Sequence, residues 1–333
     1  MVKAAVMGAG SWGTAFSIVL ADAGHSVAMW GRRSEVCDSI NQQHENSTYL
    51  PGIDLPANIS ATTDPAEALA GAELVVLAVP SQTLRSNLGD WGQHIETDAV
   101  MVSLMKGVEL GTQLRMSEVI AELTGAGPER IVVVTGPNLA KEIARREPAA
   151  AVVACADETV AEKVQSWCHT PTFRPYTNTD VVGCELGGTV KNIIGLAVGV
   201  CDGLGYGDNT KASVITRGLA ETSRLGMAMG ADPMTFAGLA GLGDLVATCS
   251  SPLSRNRTFG EKLGRGLSVE EAAAQMNQVA EGVKSCVSVA GLAEAHGVEM
   301  PIVEHVRELV DGTTTPEGLV AALLGRTTKP EVR

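Results

Sequence analysis

Up to about residue 180 the chain alternates two hydrophobic patterns. Short continuous apolar runs, "VKAAVM", "SVAMW", "ELVVLAV", "DAVMVSLM", "RIVVVT" and "AAAVVACA", predict strands buried on both faces. Between them apolar positions recur every three to four residues, and the order β, α, β, α predicts a mostly parallel, doubly wound sheet. After "TPTFRPYTNTD" (170–180) the strand signal disappears. From Val181 onward nearly everything has helical period, with stops at Gly203 to Gly207, Gly230 to Pro233, "GRGLS" and "HGVEMP", where Pro301 suits the first turn of a helix. The pattern therefore predicts an α/β domain over residues 1–180 and an all-α domain over residues 181–333.

A length of 333 residues fits that two-domain division, and 45% hydrophobic with 19% charged residues reads as globular. The formal net charge of -13 argues against a general nucleic-acid binder, so any anionic ligand must meet local positive charge. "MVKAAVMGAG" enters a strand directly, without a basic leader or cleavage site. The apolar run Ile193 to Cys201 is short of the ~20 residues of a membrane span. A soluble, cytoplasmic protein without a membrane span is expected. The seven cysteines are scattered and form no C-x-x-C pair, so buried, reduced thiols are expected, with neither disulfides nor metal.

Candidate chemistry begins at "GAGSWG" (8–13), a G-x-G-x-x-G that follows a strand and opens the helix "TAFSIVLADAG". Gly8 makes the tight turn, Gly10 lets backbone approach a pyrophosphate, and Gly13 permits close helix packing, which makes the first domain a Rossmann-like dinucleotide-binding unit. Ser11 and Trp12 lie in the loop. The second strand is followed by "MWGRRSE", where Arg32 and Arg33 replace the acid that would repel a 2′-phosphate. NADP is favoured and NAD remains admissible. Two later strands, counted as the fourth and fifth, end in "SLMKGVE" and "VTGPNLAKE", placing Lys106, Gly136 and Asn138 where open α/β sheets bind ligands.

In the helical half, "AGLGDL" places Asp244 after a tight glycine turn, and Ser254 reads as the N-cap of a helix whose first turn brings Arg255 and Asn256 to an anion. "ELGGTVKNIIGLAVGV" (185–200) sets Lys191 among Gly187, Gly188, Gly195 and Gly199 on one helical face, followed by Asn192. A face stripped of side chains is expected to give a substrate room beside the ammonium.

"GAGSWGTA", "LMKGVE", "GPNLAKE", "ELGGTVKNIIGLAVGV", "GLGDL" and "SRNRTFGEKLGRG", in this order between residues 8 and 266, resemble the bacterial NAD(P)-dependent sn-glycerol-3-phosphate dehydrogenases. The resemblance implies reversible reduction of dihydroxyacetone phosphate to sn-glycerol 3-phosphate for phospholipid synthesis. It implies dinucleotide contacts from Ser11, Trp12, Arg32, Arg33, Tyr49, Lys106, Ala140, Arg255 and Glu281. Substrate contacts would come from Lys106, Gly136, Asn138, Asn192, Asp244, Ser254, Arg255 and Asn256, and Lys191 would be the catalytic proton acceptor. Leu104-Met105 stand where the family often has Gly-Thr, and Asn138 where it often has serine.

The nicotinamide supplies a hydride, so the protein must supply a proton; partial burial of Lys191 would lower its pKa for that task, while Asp244, if close, would push the other way by favouring the ammonium. A crevice between the domains and a homodimer formed through "PIVEHVRELV" and "EGLVAALLG" are further expectations. A reductase of 2-keto or 3-hydroxy acids would use the same loop and lysine but bind a carboxylate. A non-catalytic dinucleotide sensor would have no use for Lys191, Asp244 and the Arg-Asn pair.

Overall fold

The computed structural model describes residues 1–276 and 280–325, so the last eight residues of the 181–333 domain lie outside the described residues. Strands and helices alternate as β1 (Lys3–Met7), α1 (Ser11–Asp22), β2 (Ser26–Trp30), α2 (Ser34–Gln43), β3 (Ile59–Thr62), α3 (Pro65–Leu69), β4 (Leu74–Leu77) and α4 (Leu84–Trp91). The series continues with β5 (Val100–Ser103), α5 (Met116–Thr124), β6 (Ile131–Thr135), α6 (Ala140–Ala144), β7 (Ala149–Ala154), α7 (Glu158–Cys168) and β8 (Phe173–Asn178). These strands form one sheet of order β3-β2-β1-β4-β5-β6-β7-β8. The order reverses between β1 and β4, which puts the glycine loop after β1 at the switch point.

Every neighbouring pair is parallel except β6 and β7, where Val133 faces Ala154 in antiparallel register. Their link carries only the five-residue α6, too little to return the chain along the sheet. Both faces of the central strands are covered. Val6, Val76, Val102 and Val134 pack with Phe16 and Ile18 on one side, while Met7, Val75, Leu77 and Met101 pack with Leu84, Trp91 and Ile120 on the other. That double burial is why these strands read as continuous apolar runs.

Two strands escaped that reading. β3 and β8 are the sheet's edges, with alternating buried and exposed positions, and β8 lies inside the 170–180 stretch where strand signal was expected to end. The strands leading to Lys106 and Gly136 are therefore the fifth and sixth, not the fourth and fifth.

The remaining helices are α8 (Val181–Gly203), α9 (Asp208–Ala228), α10 (Pro233–Ala237), α11 (Asp244–Ser250), α12 (Arg255–Gly264), α13 (Val269–Ala274), α14 (Glu281–Ala295), α15 (Pro301–Val310) and α16 (Pro316–Leu324). Their starts carry local signals: Pro233, Pro301 and Pro316 stand in first turns, and the Asp232, Ser254, Ser268 and Thr315 side chains accept backbone N–H groups. The chain forms two compact units, Met1–Gly188 with Ala231–Asp244, and Thr189–Gly230 with the described residues from Leu245 onward. α8 begins in the first and ends in the second.

In the second unit α8 and α12 approach through glycines on both sides. Gly199 and Gly203 abut the backbone of Arg257, Glu261 and Gly264, while Gly260 and Gly264 abut that of Leu196 and Val200, leaving no space for a methyl group at any of the four. By length and composition α8 is able to cross a membrane, yet 83% of its most apolar window is buried inside the protein. All seven cysteines are buried, and none of them is joined in a disulfide. Burial pushes six of them, Cys37, Cys155, Cys168, Cys184, Cys201 and Cys286, above the ordinary thiol value.

Candidate functional site

In the first unit the chain leaves β1 through Gly8, whose φ of +131° no ordinary side chain tolerates. A Cβ at Gly8 would run into the Ala78 carbonyl, and one at Gly13 into the Gly8 carbonyl, so both glycines bring backbone together. Gly10, the N-cap of α1, is different: a Cβ there would meet nothing within 4 Å. The first-turn N–H groups and the positive helix end are thus approachable, which is the cradle a pyrophosphate requires.

Around this loop Ser11 Oγ donates to the Tyr49 carbonyl at 2.7 Å. Asn46, fully buried, donates to the Ala9 carbonyl at 3.0 Å and to Thr14 Oγ1 at 2.8 Å, pinning the 46–50 segment to the loop. Sequence reading missed Asn46 because a polar residue in a polar stretch carries no pattern. Arg33 stacks over the Tyr49 ring at 5.0 Å and lies 3.7 Å from Glu35, while Arg32 is exposed. Trp12 packs edge-on against Phe16, with its indole Nε1 buried and without a hydrogen-bond partner. Ala140 opens α6. A cradle with an adjacent unpaired donor and exposed guanidinium groups fits a phosphorylated dinucleotide.

Beyond β5 and β6, Lys106 Nζ donates to Asp244 Oδ2 at 2.6 Å and to the Gly136 carbonyl at 3.3 Å. Asp244 is 1% exposed, so the pair is largely withdrawn from water. Asp244 follows a π-helical turn, Leu239–Gly243, where sequence reading expected a tight glycine turn. The wider turn presses Gly241 onto the Phe236 backbone and continues directly into α11. Gly136 has φ +116° and seats against Ala151. Beside it both amide atoms of Asn138 are buried without a partner, as is Thr135 Oγ1. Leu104 and Met105 are buried in cores on opposite sides of the sheet.

In the second unit Lys191 is 8% exposed and donates to Thr248 Oγ1 at 2.6 Å. Thr248 was missed, although it lies four residues after Asp244 in α11 and so shares its helical face. Asn192 Oδ1 accepts from Asn256 Nδ2 at 2.9 Å, and Asn256 Oδ1 accepts the Gly282 N–H at 2.9 Å. Asn256 thus joins α8, α12 and α14. Ser254 Oγ accepts the Arg257 N–H at 3.3 Å as the cap of α12, Arg255 stands exposed in its first turn, and Glu281 opens α14.

The glycine face around Lys191 requires correction. It was expected to give a substrate room, but Gly187 is met by the Ala240 backbone, Gly188 by Thr135 and the Lys106 stem, Gly195 by Thr248, and Gly199 by the Arg257 backbone. These glycines admit protein, because a helix lacking side chains lets a neighbouring backbone approach closely. Among the described residues no group of three or more His, Cys, Asp or Glu side chains is arranged to hold a metal ion.

Residues 3–161 match the family described as NAD-dependent glycerol-3-phosphate dehydrogenase N-terminus, and residues 180–321 match its C-terminus. Similar curated proteins include glycerol-3-phosphate dehydrogenases (NAD(P)+) from Streptomyces griseus, 66% identical over 332 residues covering 100% of this chain and 99% of that one, and from Thermobifida fusca, 60% identical over 99% of each. A glycerol-3-phosphate dehydrogenase structure from Coxiella burnetii superposes with a TM-score of 0.93 at 36% identity, covering 98% of this chain and 99% of that one. A ketopantoate reductase from Ralstonia eutropha, at 17% identity and a TM-score of 0.60 over 96% and 99% of the two chains, shares the fold alone.

Proposed function

The chain belongs to the family of NAD-dependent glycerol-3-phosphate dehydrogenases, and from that premise we propose how its residues divide the reaction. The activity is the reversible, NAD(P)H-dependent reduction of dihydroxyacetone phosphate to sn-glycerol 3-phosphate. Identity of 66% over 332 residues to a dehydrogenase of that name carries this assignment.

When bound, the nicotinamide supplies the hydride. Gly8, Gly10 and Gly13 shape the turn that receives the pyrophosphate at the start of α1, with Ser11, Trp12, Tyr49, Ala140, Lys106, Arg255 and Glu281 as further dinucleotide contacts. Arg32 and Arg33 neutralise a 2′-phosphate, which favours NADPH over NADH; the exposed guanidinium groups after β2 support this reading. The 1–180 domain carries most of these dinucleotide contacts, and the 181–333 domain supplies Arg255, Glu281 and the proton chemistry.

Lys191 gives its Nζ proton to the carbonyl oxygen during reduction and takes it back from the C2 hydroxyl in the reverse direction. Its burial and the 2.6 Å bond to Thr248 support the assignment, since they fix the ammonium's direction and limit its access to water. Asn192, Asn256 and Asp244 orient the substrate. Ser254, Arg255 and the first turn of α12 receive its phosphate. The two unpaired amide atoms of Asn138, beside Gly136 and Lys106, offer one donor and one acceptor to a hydroxyl. A cytoplasmic homodimer without a membrane span, serving glycerophospholipid synthesis, completes the proposal.

The test follows nicotinamide absorbance with NADPH and then NADH, on dihydroxyacetone phosphate beside pyruvate and a branched keto acid. Oxidation with dihydroxyacetone phosphate alone, faster with NADPH, is expected. Lys191→Ala should lower kcat by about 10²-fold or more while leaving NADPH affinity nearly intact. Turnover of the keto acids instead would reassign Arg255 and Asn256 to carboxylate recognition.

A further inference from the structure

A buried ion pair in the first unit joins the loop that carries Lys106 to the start of α8. After β5 the chain passes Lys106 and closes through an isolated antiparallel bridge between Val108 and Arg115, which is also the N-cap of α5. Arg115 Nη1 donates to Glu185 Oε2 on α8 at 2.6 Å. Glu185 is 5% exposed and also accepts the Ser117 N–H at 2.8 Å and the Ser117 hydroxyl at 2.6 Å. Glu118 in turn accepts from the Arg115 backbone N–H and from Nη2, each at 2.8 Å.

Burial pushes the Glu185 carboxyl above its ordinary value, against the pull of Arg115 and the Ser117 donors. A buried pair of this kind is a weak source of net stability compared with apolar packing; its best-attested use is to fix one arrangement among several. The arrangement at stake is local. Two and three residues after Glu185, Gly187 rests on the Ala240 backbone and Gly188 against Thr135 and the Lys106 stem. The rotation of α8 at Glu185 therefore sets what faces Lys106, one turn before the helix reaches Lys191.

We propose that Arg115, Glu185 and Ser117 are positioning residues for the reduction, locking the Lys106 loop to α8 so that Lys106 stays directed at Asp244 and the Gly136 carbonyl. The inference rests on the proposed role of Lys106 as a substrate ligand.

The experiment compares full-length Glu185→Gln, Arg115→Lys and Arg115→Met with the wild type in steady-state kinetics and in NADPH titrations without substrate. Glu185→Gln should lower kcat/KM for dihydroxyacetone phosphate on the order of tenfold, chiefly by raising KM, because a small misplacement of a binding group is costly. NADPH affinity should stay within about twofold, and Arg115→Lys should retain more activity than Arg115→Met. A folded Glu185→Gln with wild-type kcat and KM and only a lower melting temperature overturns the proposal. Should Glu185→Gln fail to fold, Ser117→Ala carries the same expectation at about threefold, and an unchanged KM there is equally fatal. A wild type that does not turn over dihydroxyacetone phosphate overturns the functional reading instead. The lock is then read by amide exchange: residues 104–110 should lose about tenfold protection in Glu185→Gln while β1 keeps its own, and unchanged exchange defeats it.

Discussion

Both oxygens of the Glu221 carboxylate on α9 lie 3.1 Å from the backbone nitrogen of Ile302, whose N–H they accept in the first turn of α15. The side chain is buried, and burial pushes its pKa from 4.5 to about 7, opposed by the helix-start N–H groups and Arg224 and assisted by Glu304. Because the folded value lies above the unfolded one, this group's contribution to stability is complete below pH 4.5 and is lost as pH rises through about 7. The loss amounts to about 3 kcal/mol. Glutamine keeps an acceptor for Ile302 without the charge, so Glu221→Gln should raise the urea midpoint at pH 8 and match the wild type near pH 4.5. Equal midpoints at pH 8 would show that the buried carboxylate is accommodated without strain. Asn138 presents the opposite case, an uncharged side chain whose two buried amide atoms lack partners at a cost of about 1–3 kcal/mol each. Under the proposed function, substrate binding gives that cost a use.

Helix α8 packs on α12 by removing side chains from both partners. Alanine normally stabilises a helix interior by about 1 kcal/mol relative to glycine, but at Gly199 or Gly260 the added methyl would overlap backbone of the facing helix. Overpacking costs typically about 1–3 kcal/mol. Gly199→Ala and Gly260→Ala should therefore lower the denaturant midpoint, whereas Gly89→Ala on α4, where a Cβ meets nothing within 4 Å, should raise it slightly. Three variants of the same chemistry thus separate propensity from packing. The same elements mark how far sequence alone reaches. β1, β4, β5 and β6 are legible because burial on both faces makes them uninterrupted apolar runs, and the cap of α12 is legible because Ser254 acts locally. β3 and β8 are not, since an edge strand alternates polar and apolar positions and resembles a loop. The glycine motif at residues 8–13 reveals its own role, and Lys191 stands out by being an ammonium in an apolar helix. The partners that direct such groups, Thr248 for Lys191, Asn46 for the loop and Glu185 for Arg115, are ordinary polar residues brought near by folding. No local spacing announces them, except that Thr248 follows Asp244 by one helical turn.

At the scale of the whole molecule the chain is a strongly acidic protein, with a net charge of -13, whose proposed ligands are anions. Of its 25 lysines and arginines, the proposal draws on Arg32 and Arg33 after β2, on Arg255 in the first turn of α12, and on Lys106 and Lys191. The seven buried thiols have a consequence for following this molecule as it comes apart. Cys37, Cys155, Cys168 and Cys184 belong to the first unit, and Cys201, Cys249 and Cys286 to the second. Alkylation requires a thiolate that the reagent can reach, so a short pulse of iodoacetamide should leave the native protein unmodified. Applied along a urea gradient and read by mass, the pulse becomes an internal clock: a jump of four adducts marks the opening of one unit, a jump of three the other, and a single jump of seven means that they unfold together.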